Sequence, residues 1–346
     1  MKILLYPITI LFSIVLYIRH KLYDMGVFKS KSFGVPIICV GNLRVGGTGK
    51  TPLTDFLVKK LKNNYKIAIL SRGYMRKTKG FFIVDNASTS YEVGDEPKLL
   101  KMLNDDVMVA VCEDRCKGVE MILKYDPDIS LIILDDAFQH RAIKAKLNII
   151  LTEYKNLYVN DALLPTGTLR DLKDRSHKAD MIVVTKCPAD VKPIDLRLVY
   201  KELDIRPYQK LLFTHIHSHT PVSLFDNSPI AKVERGAVTT AIAMPDKFVD
   251  PLKSKYEIID VFAFKDHYRY KKQDVIDIFK KIEDNDLMLW DAPLLCTAKD
   301  AVKILELGLD DDMLRRIYVV NISLEIIPYA QSMSETNFVS ALKDRL

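Results

Sequence analysis

Cysteine is scarce and scattered: five in 346 residues (Cys39, Cys112, Cys116, Cys187, Cys296), an odd number with no C-x-x-C pair. That argues against a disulfide framework and a zinc finger, and for a reducing cytoplasm. Strong charge of one sign is also missing. A net charge of +6 leaves no dense basic stripe, so no nucleic-acid partner is expected. The mild positive excess still suits an anionic membrane surface or a phosphorylated substrate. The chain has no internal repeat and no low-complexity segment, and at ~100–200 residues per domain its length corresponds to about two domains.

A long hydrophobic run is missing too. Residues 3–18 carry no charge between Lys2 and Arg19, but a spanning helix wants ~20 apolar residues. A signal peptide would need a small-residue cleavage site where this chain has Arg19, His20 and Lys21. Lys29 and Lys31 follow. Residues 1–24 therefore read as a membrane-associating segment, with apolar side chains in lipid and cations at anionic head groups. The bland alternative is a buried or oligomer-packed helix.

Apolar runs at 36–40, 66–71, 107–112, 131–135, 147–152 and 181–185 alternate with helical patterns such as 51–61 and 115–125. Runs so rarely interrupted by polar residues indicate strands buried on both faces. The expected class is α/β: a P-loop-containing, doubly wound, largely parallel sheet over 25–205, then a smaller α/β lobe over 206–346. A segment rich in Pro, Asp and Lys at 187–207 reads as the linker. The second lobe offers strand-like runs at 210–217, 237–243, 256–262 and 317–322 and helical patterns at 272–283 and 300–306. Its last helix is expected to pack back on the first domain.

The stretch "VGNLRVGGTGKTP" sets a glycine-rich turn between a strand and a helix, where backbone N–H groups can cradle phosphate oxygens. Gly46, Gly47, Thr48, Gly49, Lys50 and Thr51 are the expected nucleotide-binding residues, with Lys50 reaching the β/γ-phosphates and Thr51 ligating Mg²⁺. The strict pattern wants glycine at position 44, where this chain has Arg44. Downstream, "SLIILDDAFQH" ends a buried strand in Asp135 and Asp136, candidates to organise Mg²⁺. The bland alternative is that the two merely cap the next turn.

Three further clusters bear on the chemistry. Asp95 and Glu96 in "YEVGDEPKLL" lie in a loop suited to a general base, His267 lies in "FKDHYRY", and Arg170 in "LPTGTLRDL" can neutralise phosphoryl charge. Together they supply a base, its partner and a cation, as phosphoryl transfer to a hydroxyl requires. A base and a histidine from different lobes are expected to meet only when the lobes close.

The chain resembles the tetraacyldisaccharide 4'-kinases, the lipid A kinases of Gram-negative bacteria. Behind an apolar N-terminus, eight motifs run in order: "VGNLRVGGTGKTP", "SRGY" at 71–74, "VGDEP" at 93–97, "DR" at 114–115, "LDDAFQH" at 134–140, "LPTGTLR" at 164–170, "FKDHY" at 264–268 and "TAKDAVK" at 297–303. The resemblance implies an ATP- and Mg²⁺-dependent transferase of lipopolysaccharide synthesis. Its implied acceptor is the 4'-hydroxyl of a tetraacylated glucosamine disaccharide 1-phosphate, at the cytoplasmic face of the inner membrane, and no obligate protein partner is implied. It places Lys50 and Thr51 on the P-loop positions, Asp95 on the proposed base, His267 on its partner, and Asp135 and Asp136 on the Walker B-like carboxylates. Tyr74, Arg115, His140 and Arg170 fall on further active-site positions. Two departures stand out: Arg44 replaces a small or apolar residue, and "TLRDL" replaces a more usual Leu-Arg-Glu-Pro.

The rival readings are a P-loop ATPase, whose signature lysine would fall where this chain has Val45, and a membrane-associated nucleotide switch without turnover on a lipid sugar. "FTHIHSHT" sets His215, His217 and His219 on one strand face. With no acidic or cysteine ligand near in sequence, a solvated face is expected there rather than a metal site.

Overall fold

The structure is a computed structural model and describes residues 2–230, 235–285, 292–329 and 334–346. Its strands are β1 (Ile37–Asn42), β2 (Ile67–Ser71), β3 (Phe82–Val84), β4 (Met108–Val111), β5 (Leu131–Asp135), β6 (Leu147–Glu153), β7 (Met181–Thr185), β8 (Lys210–Ser218), β9 (Val222–Ser223), β10 (Arg235–Thr240), β11 (Glu257–Ala263), β12 (Leu294–Thr297), β13 (Ile317–Val320) and β14 (Ile322–Ile327). Nine form one sheet in the order β14-β8-β7-β6-β1-β5-β2-β4-β3, and five form a second in the order β11-β10-β12-β13-β9. Antiparallel pairing is confined to the edges, at β14 and β3 of the large sheet and β9 of the small one.

The uninterrupted apolar runs have a simple cause. Alternate residues of one strand enter different cores: Ile37, Cys39, Leu70 and Leu134 on one face of the large sheet, Ile38, Val40, Ile69 and Ile133 on the other. Each position is therefore worth burying, at roughly 1.5–3 kcal/mol for a full aliphatic side chain, and none is free to be polar. The small sheet has its own cores, one around Val275, Phe279, Leu294 and Ile304 and one around Val238, Leu252 and Leu295.

Three features differ from the sequence reading. The strand at 210–218 belongs to the large sheet, paired parallel with β7 and antiparallel with β14, rather than to the second lobe. Periodicity marks a strand but not its neighbour. Second, the supposed linker holds the helix Pro193–Glu202, opened by a proline at its first turn, where the missing N–H costs nothing. Third, β3, β9, β12 and β14 fall outside the strand-like runs; β3, β9 and β12 are short, and β14 continues almost directly from β13.

The N-terminal helix Tyr6–Asp24 rests on this frame chiefly by its basic end, with a further contact from the Thr9 hydroxyl to Thr166 Oγ1 at 3.1 Å. Only Leu16 and His20 of it are buried, while Tyr6, Ile8, Ile10, Leu11, Ile14, Val15, Tyr17 and Ile18 are exposed. His20 Nε2 lies 2.6 Å from Asp171 Oδ1, Arg141 donates to Asp24 at 2.7 Å, and Arg19 donates to the carbonyl of Gln139 at 2.8 Å. Asp171, the departure in "TLRDL", thus has a buried partner. No helix among the described residues is long and apolar enough to cross a membrane. At the other terminus, Phe338 and Leu342 of the helix Glu335–Lys343 are fully buried in the core that also holds Leu53 and Leu57.

Candidate active site

The phosphate end forms where β1 and β5, neighbours in register at Val40 and Asp135, run out side by side at the centre of the sheet. Gly41 is required there, since a Cβ on it would lie 2.5 Å from that of Phe138 in the turn after β5. The loop then enters the helix Lys50–Leu61 through Gly49, at φ 90°, which offers no side-chain cap. The first-turn N–H groups, at the positive end of the helix dipole, are left for an anion.

The loop is braced from several sides. Asn42 donates to Thr48 Oγ1 at 2.7 Å, the Thr185 hydroxyl donates to the Thr48 carbonyl at 2.8 Å, and Lys186 donates to the Gly47 carbonyl. Arg44 has a role as well: it donates to Thr168 Oγ1 at 3.2 Å and to the Asn156 carbonyl at 2.9 Å. It ties the loop to the segment that carries Arg170, which a side chain as short as glycine's could not do.

The two carboxylates after β5 differ sharply. Asp136, at φ 52°, has Lys50 Nζ 3.7 Å away and accepts from Arg170 through both oxygens. Burial pushes its pKa up, but the charge of Lys50 and the Arg170 contact outweigh that and hold it below the ordinary carboxylate range. Burial dominates at Asp135, reinforced by the charges of Glu96 and Asp136, and raises it to about 7. Its Oδ2 accepts from Ser71 at 3.3 Å, while the buried Oδ1 has no hydrogen-bond partner. An orphaned oxygen and uncompensated negative charge are what an oxygen-seeking divalent cation fits, and Thr51 stands in the first turn of the adjoining helix.

The acceptor end is assembled across the lobes. Asp95 opens the helix Asp95–Leu103 after Gly94, whose φ is 97°. His267, at φ 59° just beyond β11, brings Nδ1 to 3.1 Å from Asp95 Oδ2, so the pair expected only on lobe closure is already made. Burial raises the Asp95 pKa, but the His267 hydrogen bond and the charges of Lys303 and Lys299 bring it below its ordinary value. Tyr74 is 65% exposed and its ring centroid lies 5.6 Å from that of His267. Glu96 stands between the two ends: its charge acts on Asp135, and Lys299 lies 3.9 Å from it.

Two expected site residues sit deeper. Arg115 is buried and donates to the carbonyls of Cys112, Glu113 and Asp136, which fixes the turn that presents Asp136. His140 is half-buried, and burial together with the Arg115 charge holds its pKa below the ordinary histidine value; its Nε2 has no hydrogen-bond partner.

The family model described as LpxK, tetraacyldisaccharide-1-P 4'-kinase, matches residues 1–343. The chain belongs to this family. A tetraacyldisaccharide 4'-kinase of Bacteroides fragilis is 38% identical over 98% of this chain and 93% of its own length. One of Cytophaga hutchinsonii is 39% identical over 97% and 95%. The crystal structure of LpxK from Aquifex aeolicus in complex with ATP has a TM-score of 0.77 and 27% identity, covering 99% of both chains. The α/β fold is thus that of the family, and the chain is a kinase of lipid A synthesis.

Within this kinase fold, several residues at the site escaped sequence reasoning. Lys303 is buried, 3.1 Å from Asp300 Oδ1 and 3.9 Å from Asp95 Oδ2. Asp300 in turn accepts from Thr240, Thr297 and the Ala241 amide, fixing the strand end that leads toward His267. A second bridge between the lobes runs from Lys247 to Glu153 at 3.2 Å, and Glu153 also pairs with Lys186. Lys303 lies in the helical pattern at 300–306, where "TAKDAVK" was the one available signal, and the sequence reading gave the segment of Lys247 no element at all.

Proposed function

We propose that the chain transfers the γ-phosphoryl group of ATP to the 4'-hydroxyl of a tetraacylated glucosamine disaccharide 1-phosphate. The observation that carries this reading is the Asp95–His267 pair at 3.1 Å, which joins the two lobes. Asp95 accepts the proton of the sugar hydroxyl. His267 and Lys303 orient the carboxylate and keep it ionised, hence able to accept. A carboxylate of lowered pKa is a weak base, but a loose phosphoryl-transfer transition state asks more for position than for basicity.

At the phosphate end, the N–H groups of the loop from Gly46 to Gly49 and the Lys50 ammonium grip the β- and γ-phosphates. Arg170 stabilises charge on the transferring group after exchanging part of its contact with Asp136. Thr51, Asp135 and Asp136 would hold Mg²⁺, which would supply further neutralisation of phosphate charge. The inter-lobe contacts at Asp95–His267 and Glu153–Lys247 exclude water that would otherwise divert ATP to hydrolysis.

The exposed apolar side of the helix Tyr6–Asp24 supports a place at the inner-membrane surface on its cytoplasmic face, where it lies shallowly in lipid above a docked basic foot. Co-sedimentation with anionic liposomes checks this: removal of residues 1–24 is expected to abolish binding, and equal binding by the shortened chain contradicts it. The reaction itself is tested with γ-labelled ATP and the disaccharide acceptor. Label on the lipid is expected. Hydrolysis without labelled lipid would favour an ATPase, and binding without turnover a nucleotide switch.

A further inference from the structure

The run His215, His217, His219 was expected to be a plain solvated face, because no acidic residue stands near it in sequence. The structure supplies one. β14 pairs antiparallel with β8 so that Glu325 lies opposite His215 and Ser323 opposite His217. Residues two apart on a strand share a face, so both imidazoles and the carboxylate project from the same side of the strand pair. His215 Nε2 is 3.0 Å from Glu325 Oε2 and His217 Nδ1 is 3.8 Å from Oε1. One donor atom from each of the three lies within 4.8 Å of the other two.

We infer that His215, His217 and Glu325 form a binding site for a zinc-class divalent cation. Two imidazole nitrogens and a carboxylate oxygen are a ligand set suited to Zn²⁺ and its transition-metal neighbours, and a poor one for Mg²⁺, which prefers all-oxygen shells. Metal–ligand bonds of about 2.0–2.1 Å in a tetrahedron separate the ligand atoms by roughly 3.3 Å, so small side-chain rotations close the site. The side chains of His217 and Glu325 are each 48% exposed, which gives the ion an entry path and leaves a fourth position for water. Among the described ion pairs, Glu325 meets only these two histidines and no lysine or arginine.

The position gives the site a consequence. The chain leaves the large sheet along β8, builds the second lobe, and returns along β14. A metal held by both strands clips the two-stranded connection on which the second lobe, with His267, is carried. His219, whose amide donates to the Asn321 carbonyl at 2.9 Å, already closes the far end of that ladder.

Equilibrium dialysis of the nucleotide-free full chain against Zn²⁺ tests the inference, with Co²⁺ visible absorption as a probe of coordination. One ion is expected, with affinity falling about tenfold or more in His217→Ala and in Glu325→Gln. Zinc is also expected to raise the Tm of the wild type and not of His217→Ala. Cys116→Ala controls for the other cluster, Asp114, Cys116 and His140, and is expected to leave binding unchanged. Zinc binding that survives both His217→Ala and Glu325→Gln, or that is lost in Cys116→Ala, overturns the site. Both probed side chains are half-exposed, so folding is expected to survive, and a circular dichroism spectrum unlike that of the wild type directs the same measurements to His217→Gln.

Discussion

The chain builds the phosphate loop and the Asp95–His267 pair in opposite ways. The loop is contiguous, sits at the ends of two adjacent buried strands, and is braced by Asn42, Thr185 and Lys186 of the same sheet. The pair joins residues 172 positions apart on different lobes, supported by a buried lysine from a third segment. On the proposed assignment, the grip on phosphate would rest mainly on the large sheet, with one second-lobe contact through Lys247 and Glu153, whereas the proton-accepting end would depend on how the second lobe docks. A lesion in the second lobe should spare nucleotide binding and strike transfer.

The largest expected effect lies at the acceptor end. Asp95→Ala should lower kcat on the lipid acceptor by about 10²–10⁴, the usual cost of a lost general base; a fall of less than about tenfold in labelled product would exclude that role. Next is Lys303→Met, which leaves Asp300 and Asp95 without their buried cation. Breaking such a pair costs about 3–5 kcal/mol, to be read from urea denaturation, and little change there would mean that the pair is not buried as described. At the other end, Lys50→Ala should reduce kcat/KM for ATP by about 10²–10³ while leaving the His267 environment, followed by NMR, unaltered.

The smallest effect concerns pH. The folded-state pKa of Asp135 is raised to about 7 from 3.8 by burial and by Glu96 and Asp136. The protonated carboxyl therefore stabilises the Mg²⁺-free fold fully below about pH 4, and that contribution is lost as pH rises through about 7. Asp135→Asn should gain Tm relative to the wild type between pH 6 and 8 without Mg²⁺. Saturating Mg²⁺ should shrink that gain, because it favours the ionised form. A difference that does not vary with pH would remove the titration from the account.

The same contrast decided what the sequence disclosed. The parallel strands were legible because double-sided burial writes itself as unbroken apolar runs, as in β5 and β7. The phosphate loop was legible because one segment holds all its donors. Lys303 was not: a buried lysine and a surface lysine look alike until a facing Asp300 and Asp95 are known. Arg44 looked like a defect in a motif and is a tether to Thr168 and Asn156. The meeting of Glu325 with His215 depends on strand pairing across more than a hundred residues, and the placement of β8 on its pairing with β7, Met181 opposite Lys210; local patterning encodes neither.

The measurement that bears most directly on this division of tasks is made on a single preparation of Asp95→Ala, with ATP affinity and single-turnover transfer to the tetraacyl disaccharide determined side by side. ATP affinity within about twofold of the wild type, with transfer reduced by about 10²–10⁴, is the expected result. Transfer at the wild-type rate, or ATP affinity that falls in step with transfer, would contradict the assignment of separate tasks to the two ends.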